Sequence, residues 1–118
     1  MRFPPAALLS LILAACAAEP APPLAPPPPE LVAALRSRAP EPCNEATAAA
    51  LAAHGVTAGE IASVFYVPII TGGGEAARRT GIQAWVQLAN RPGSVVVDHN
   101  LGCGLRQIYA RDGATLPR

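Results

Sequence analysis

The chain has 118 residues, 51% hydrophobic but only 4% aromatic, and its nine cations, all arginine, face eight acids for a net charge of +1 at pH 7. That length allows one small domain. The even charge excludes nucleic acid as the main partner, because a phosphate backbone is held by a clear cationic surplus, and as a total it gives no strong attraction to anionic lipid.

At the amino terminus, Met1-Arg2-Phe3 carries one positive charge, and residues 6–15 form an uncharged apolar run ending in small residues. Charged, hydrophobic and small-residue regions in that order predict a secretory signal. The run is about ten residues, against the roughly 20 that a membrane-spanning helix needs. An ordinary buried helix is the other reading, but the prolines crowded into residues 20–29 leave nothing nearby to cover it. The stretch Leu13-Ala14-Ala15-Cys16 resembles the lipobox of bacterial lipoproteins, a leucine and two small residues before a cysteine, directly after the hydrophobic region. That resemblance implies that residues 1–15 are a signal peptide and that the Cys16 thiol receives a diacylglycerol. Cleavage then makes Cys16 the first residue, and its new amino group is acylated. Two or three acyl chains, at about 0.8 kcal/mol per buried methylene, give a permanent anchor in membrane lipid. Ala17 and Ala18, rather than aspartate, follow the cysteine. In the same family this implies the outer membrane, with the chain facing the periplasm. The whole chain resembles the short lipoproteins of proteobacterial envelopes.

Residues 17–29, AAEPAPPLAPPPP, suit neither a helix interior nor a central strand. A proline-rich run is stiff and extended at about 3.1 Å per residue, so residues 16–29 read as a lipidated tether that holds a domain up to roughly 40 Å from the membrane. The other reading of the prolines is a ligand for a proline-recognition module.

Residues 30–118 are expected to fold as a small α+β domain, two short helices followed by a four-stranded antiparallel meander. In residues 30–38, Leu31, Ala34, Leu35 and Arg38 fall at helical spacing, with Glu30 early and Arg36 and Arg38 late, as the macrodipole favours. Pro40 and Pro42 stop that helix. The second has Asn44 as N-cap, Glu45 in its first turn and Gly55 as its stop; its one large apolar residue, Leu51, lets it pack close to a sheet. Thr57 and Glu60 have capping-box spacing, so a short third helix over residues 57–64 is an alternative there.

From Ile61 the residues turn β-branched and aromatic. IASVFYVPII is apolar on both sides, and Pro68 marks an edge or bulge. TGGGEAARRTG, residues 71–81, reads as a long flexible turn. IQAWVQLAN alternates, with Ile82, Ala84, Val86 and Leu88 on one face and Gln83, Trp85 and Gln87 on the other. SVVVD and LRQIYAR supply the remaining strands, joined by a turn over residues 100–104.

With Cys16 acylated, Cys43 and Cys103 remain as a pair in an oxidising compartment, which predicts a disulfide. It would stabilise a marginally sized core by roughly 4 kcal/mol on the chain-entropy account. Free buried thiols and intermolecular bridges are the rival readings. Asp98 and His99 stand near Cys103 in sequence, so a thiol-dependent enzyme or redox protein using Cys103 and His99 is the alternative function. Against it, a Cys–His pair must converge in a pocket, and His99 reads as exposed at a turn capped by Asp98. His54 suits a helix C-terminus. Zinc held by Cys43, His54, His99 and Cys103 lacks recognised ligand spacing, and the glycine loop lacks the lysine and hydroxyl of a P-loop, so no metal or cofactor is expected. Arg78 and Arg79 are candidate contacts for an anionic envelope partner such as a lipid headgroup or cell-wall acid. Trp85 either packs in the core or anchors a partner. The expected role is non-enzymatic binding or scaffolding in the envelope, in outer-membrane maintenance or assembly; the helix–helix–strands order resembles, in topology alone, the outer-membrane-assembly lipoproteins of the SmpA/OmlA type.

Overall fold

The computed structural model describes residues 24–116; Cys16 and the signal region lie outside the described residues. Helix α1 spans Pro29–Arg38 and opens on a proline, whose fixed φ and missing N–H suit the first helical position. It buries Leu31, Val32 and Leu35 and ends at extended Ala39, the residue before Pro40. Helix α2 spans Asn44–Ala53 with Cys43 as its N-cap. The cap thus lies one residue earlier than the sequence predicts. Asn44 is instead the first helical residue, because its amide has tertiary partners: Nδ2 donates to the Ala39 carbonyl (2.7 Å) and Oδ1 accepts from the Tyr66 hydroxyl (2.7 Å). Alanines make α2 slim, so it sits close on the sheet and buries Thr47, Ala48, Ala50 and Leu51.

Thr57 and Glu60 do form the capping box, but it holds a single 3-10 turn, Ala58–Glu60, rather than a third helix. The β-branched and aromatic run beginning at Ile61 then takes over as a strand. Strands β1 (Ile61–Thr71), β2 (Arg78–Leu88), β3 (Ser94–Asn100) and β4 (Leu105–Arg111) pair antiparallel in the order β1-β2-β3-β4. The fold is therefore the expected α+β arrangement of two helices and a four-stranded meander. Both helices lie on one face, where Leu31, Leu35, Ala48 and Leu51 close over Val64, Ala84, Val86, Val95 and Val97. The core cluster, the four strands and the disulfide all lie within the described residues.

Two boundaries differ from the sequence reading. The glycine loop is shorter than residues 71–81, since Ile70 pairs with Arg79 and Thr71 with Arg78, which extends the β1–β2 hairpin. Strand β3 runs on through His99 and Asn100, because Ile82 and Gly81 of β2 are there to pair with them. Gly81 is fitted to this junction: a Cβ there would collide with the His99 carbonyl and press on Arg106 and Ile69.

Candidate functional site

The structure gathers its chemically distinctive side chains into three places. The first is the end of the sheet that holds the disulfide. Cys43 at the start of α2 and Cys103 in the β3–β4 turn are bonded at 2.04 Å across a separation of 60 residues. Asn100 builds that turn. Its Oδ1 accepts from the amides of Gly102 (2.9 Å) and Gly104 (2.8 Å), and its carbonyl accepts from the Cys103 amide (3.1 Å). Cys103 is thereby set at φ 64°, and Leu101 is left at the tip, 64% exposed. A cleft of about 200 Å³ opens beside the disulfide, lined by Pro42, Cys43, Arg79, Gly81, Ile82, Leu101 and Cys103. Arg106, from β4, reaches over β2 and donates through Nη2 to the Thr80 carbonyl (2.8 Å).

The second place is a polar chain buried between α2 and the sheet. His99 is fully buried, which corrects the expectation of an exposed turn residue. With β3 extended, it falls in the inward register of Val95 and Val97 and its imidazole reaches the helix. Nε2 lies 2.8 Å from Thr47 Oγ1, which lies 3.0 Å from Tyr66 Oη, and Tyr66 donates to Asn44 Oδ1. Because the Tyr66 proton is committed to Asn44, the Thr47 proton goes to Tyr66 and His99 donates from Nε2. Nδ1 is then a buried acceptor left without a hydrogen-bond partner. Burial lowers the His99 pKa from its ordinary 6.5, outweighing the opposing pull of Asp98 and the Cys103 carbonyl. Burial likewise raises that of Tyr66, against the hydrogen bond from Thr47.

The third place is the sheet face without helices. Phe65, Trp85, Val96 and Tyr109 form one cross-strand row. The Phe65 and Trp85 rings stack with centroids 5.9 Å apart and planes 8° from parallel, and the Arg111 guanidinium stands 5.4 Å from the Trp85 centroid. Trp85 Nε1 donates to Gln83 Oε1 (3.2 Å), Gln83 Nε2 to Tyr109 (3.3 Å), and Gln107 Nε2 to Asp98 Oδ2 (2.6 Å). Asp98 is thus engaged on this face and does not cap the turn. Trp85 belongs here, outside the helix-covered core.

Of the residues predicted from sequence, Cys43, Cys103 and Arg79 meet at the disulfide cleft, and Arg78 lies beside it at the start of β2. Trp85 is farther along β2 and forms no part of that group. Cys103 and His99 do not converge as nucleophile and base, since the sulfur is bonded to Cys43 and the imidazole is enclosed against Thr47. Sequence reasoning missed Leu101 and Arg106, and it missed the Thr47–Tyr66–Asn44 chain. A lone leucine in the glycine-rich NLGCG turn was the available signal for Leu101; nothing local marks Thr47, whose role depends on a contact 52 residues away. Among the described residues, no three His, Cys, Asp or Glu side chains gather as metal ligands, and no helix is long and apolar enough to cross a membrane. No protein-family model matches this chain, and neither does any curated protein or solved structure.

Proposed function

We propose that the chain is a lipid-anchored lipoprotein of the bacterial envelope, its small α+β domain serving a non-enzymatic binding or scaffolding role at the periplasmic face of the outer membrane, in maintenance or assembly of that membrane. The observation that carries this reading is the Cys43–Cys103 disulfide. A structural disulfide fits an exported, oxidising compartment. It also leaves Cys16 as the remaining one of three cysteines, and it sits in the LAAC stretch that resembles a lipobox. The binding role draws support from the arrangement of side chains. The described residues present an aromatic sheet face and an arginine-bearing end, while the one histidine near the cysteines is sealed in the core.

Globomycin treatment of expressing cells tests the anchor. A larger precursor is expected to accumulate, and labelled palmitate is expected to enter the untreated chain. An unchanged size together with no lipid label would overturn the reading. Thiol counting on the mature chain tests the other half: no titratable thiol is expected, and two free thiols with one of low pKa would favour the thiol-dependent alternative.

A further inference from the structure

Pro28, where the tether joins α1, lines a cleft with Val56, Thr57 and Gly59 at the start of β1. Strand β1 runs away from that point to Thr71, so Arg78 and Arg79, paired with Thr71 and Ile70, lie at the opposite end of the sheet. Asn100 pairs with Gly81, which brings the β3–β4 turn alongside them. That end exposes large aliphatic side chains: Leu101 at 64%, Ile70 at 55% and Leu105 at 40%. Arg78 and Arg79 on β2 and Arg106 on β4, the last donating to the Thr80 carbonyl, belong to the same end of the sheet. Among the described residues the salt bridge is Glu60–Arg91 at 3.3 Å, near the tethered end, and none engages these three arginines. Carboxylates at this end include Glu75 in the hairpin connection, Glu41, whose charge acts on Tyr66, Glu45 in the first turn of α2, and Asp98, which is buried and holds Gln107.

Exposed aliphatic side chains, Leu101 at a turn tip and Ile70 near the end of the neighbouring strand, together with three arginines at the same sheet end, match the two layers of a lipid interface, hydrocarbon below and phosphate above. Arginine binds phosphate by paired N–H donors in a plane. Leu101 and Ile70 are also held in advance. Hydrogen bonds to Asn100 and the adjoining disulfide hold the Leu101 turn, and strand pairing fixes Ile70, so little ordering cost remains for binding. We propose that this end of the sheet docks on an anionic lipid bilayer, with Leu101 and Ile70 entering the acyl region and Arg78, Arg79 and Arg106 meeting lipid phosphates. The docking surface stands without the anchor. Its use on the anchoring membrane itself rests on the lipoprotein reading.

Vesicle flotation of residues 17–118, which include every described element and lack Cys16, tests the surface. The chain is expected to float with equimolar phosphatidylcholine and phosphatidylglycerol, to float much less with phosphatidylcholine alone, and to be released by added salt. At about 1 kcal/mol per arginine near an anionic surface, the Arg78→Ala/Arg79→Ala pair is expected to bind about thirtyfold more weakly. Leu101→Ser is expected to weaken binding while melting like the parent, and Arg91→Ala, at the tethered end, to bind like the parent. No flotation, equal flotation with both lipid mixtures, or parent-like binding by the arginine pair would overturn the proposal. Globomycin sensitivity is read separately, so a missing anchor and a missing docking surface give different results.

Discussion

His99 heads a run of protons that all point one way, from its Nε2 through Thr47 and Tyr66 to Asn44 and on to the Ala39 carbonyl. The run ties both helices to two strands of the sheet, and it is built for a neutral imidazole. Burial holds the His99 pKa in the fold below its ordinary 6.5. As pH falls through that value, the unfolded chain takes up the proton before the folded one does. Stability from the neutral ring is therefore full above about pH 6.5 and lost progressively below it. Urea unfolding at about pH 7.5 and about pH 5.5 should show a larger loss for the parent than for His99→Gln; equal losses would place the acid sensitivity elsewhere. Thr47→Val keeps the shape but removes the central hydroxyl. It strands Nε2 of His99 and takes a partner from Tyr66, for an expected cost of about 1–3 kcal/mol per unsatisfied group, measured by the same unfolding.

Helix α2 and the long β1–β2 hairpin carry the fold in different ways. In α2 the small side chains are themselves the fit. Ala48 is fully buried against the sheet, so Ala48→Leu should destabilise by about 1–3 kcal/mol despite leucine's good helix propensity, because the interface is already filled. In the hairpin the demand is on the backbone. Gly81→Ala would press its Cβ on the His99 carbonyl; it should lower the melting temperature and disturb the β2–β3 pairing, visible as faster amide exchange at Gly81 and Asn100. A parent-like melt for either variant would contradict the packing described here. Elements of this kind were readable from local pattern. The alternation of Ile82, Ala84, Val86 and Leu88, the Gly55 stop and the last strand over Leu105–Arg111 all follow from period and turn chemistry. The ends of β2 and β3 did not, since each is settled by a partner strand rather than by its own residues. The same cause explains the misplacing of His99: two further residues of pairing turn a loop side chain into a core one. The disulfide was legible once Cys16 was read as lipidated, which leaves two cysteines in an oxidising compartment, whereas the surface around Leu101 needed the juxtaposition of a turn and a neighbouring strand end that only the register supplies.

At the scale of the whole molecule, the two helices and four strands form a core small enough that a covalent tie matters. The bridge closes a loop of 60 residues, so the Cys43→Ala/Cys103→Ala pair should lose roughly 4 kcal/mol, within the range of about 2–5 for small exported domains. A loss of under about 1 kcal/mol would mean that the core holds without it. The same bridge joins the first turn of α2 to the Leu101 turn, so the variant should also bind anionic vesicles less well. Mass spectrometry of the chain purified from membranes tests the proposed anchor and the disulfide together and most directly. With no lysine, and arginines first at Arg2 and Arg36, trypsin isolates residues 16–36 from a processed chain. The expected result is that peptide beginning at Cys16 and carrying a diacylglycerol and an amide-linked acyl chain, with Cys43 and Cys103 recovered as a disulfide-linked pair. An unmodified Cys16 inside a peptide that continues from Phe3, or Cys43 and Cys103 recovered as free thiols, would contradict it.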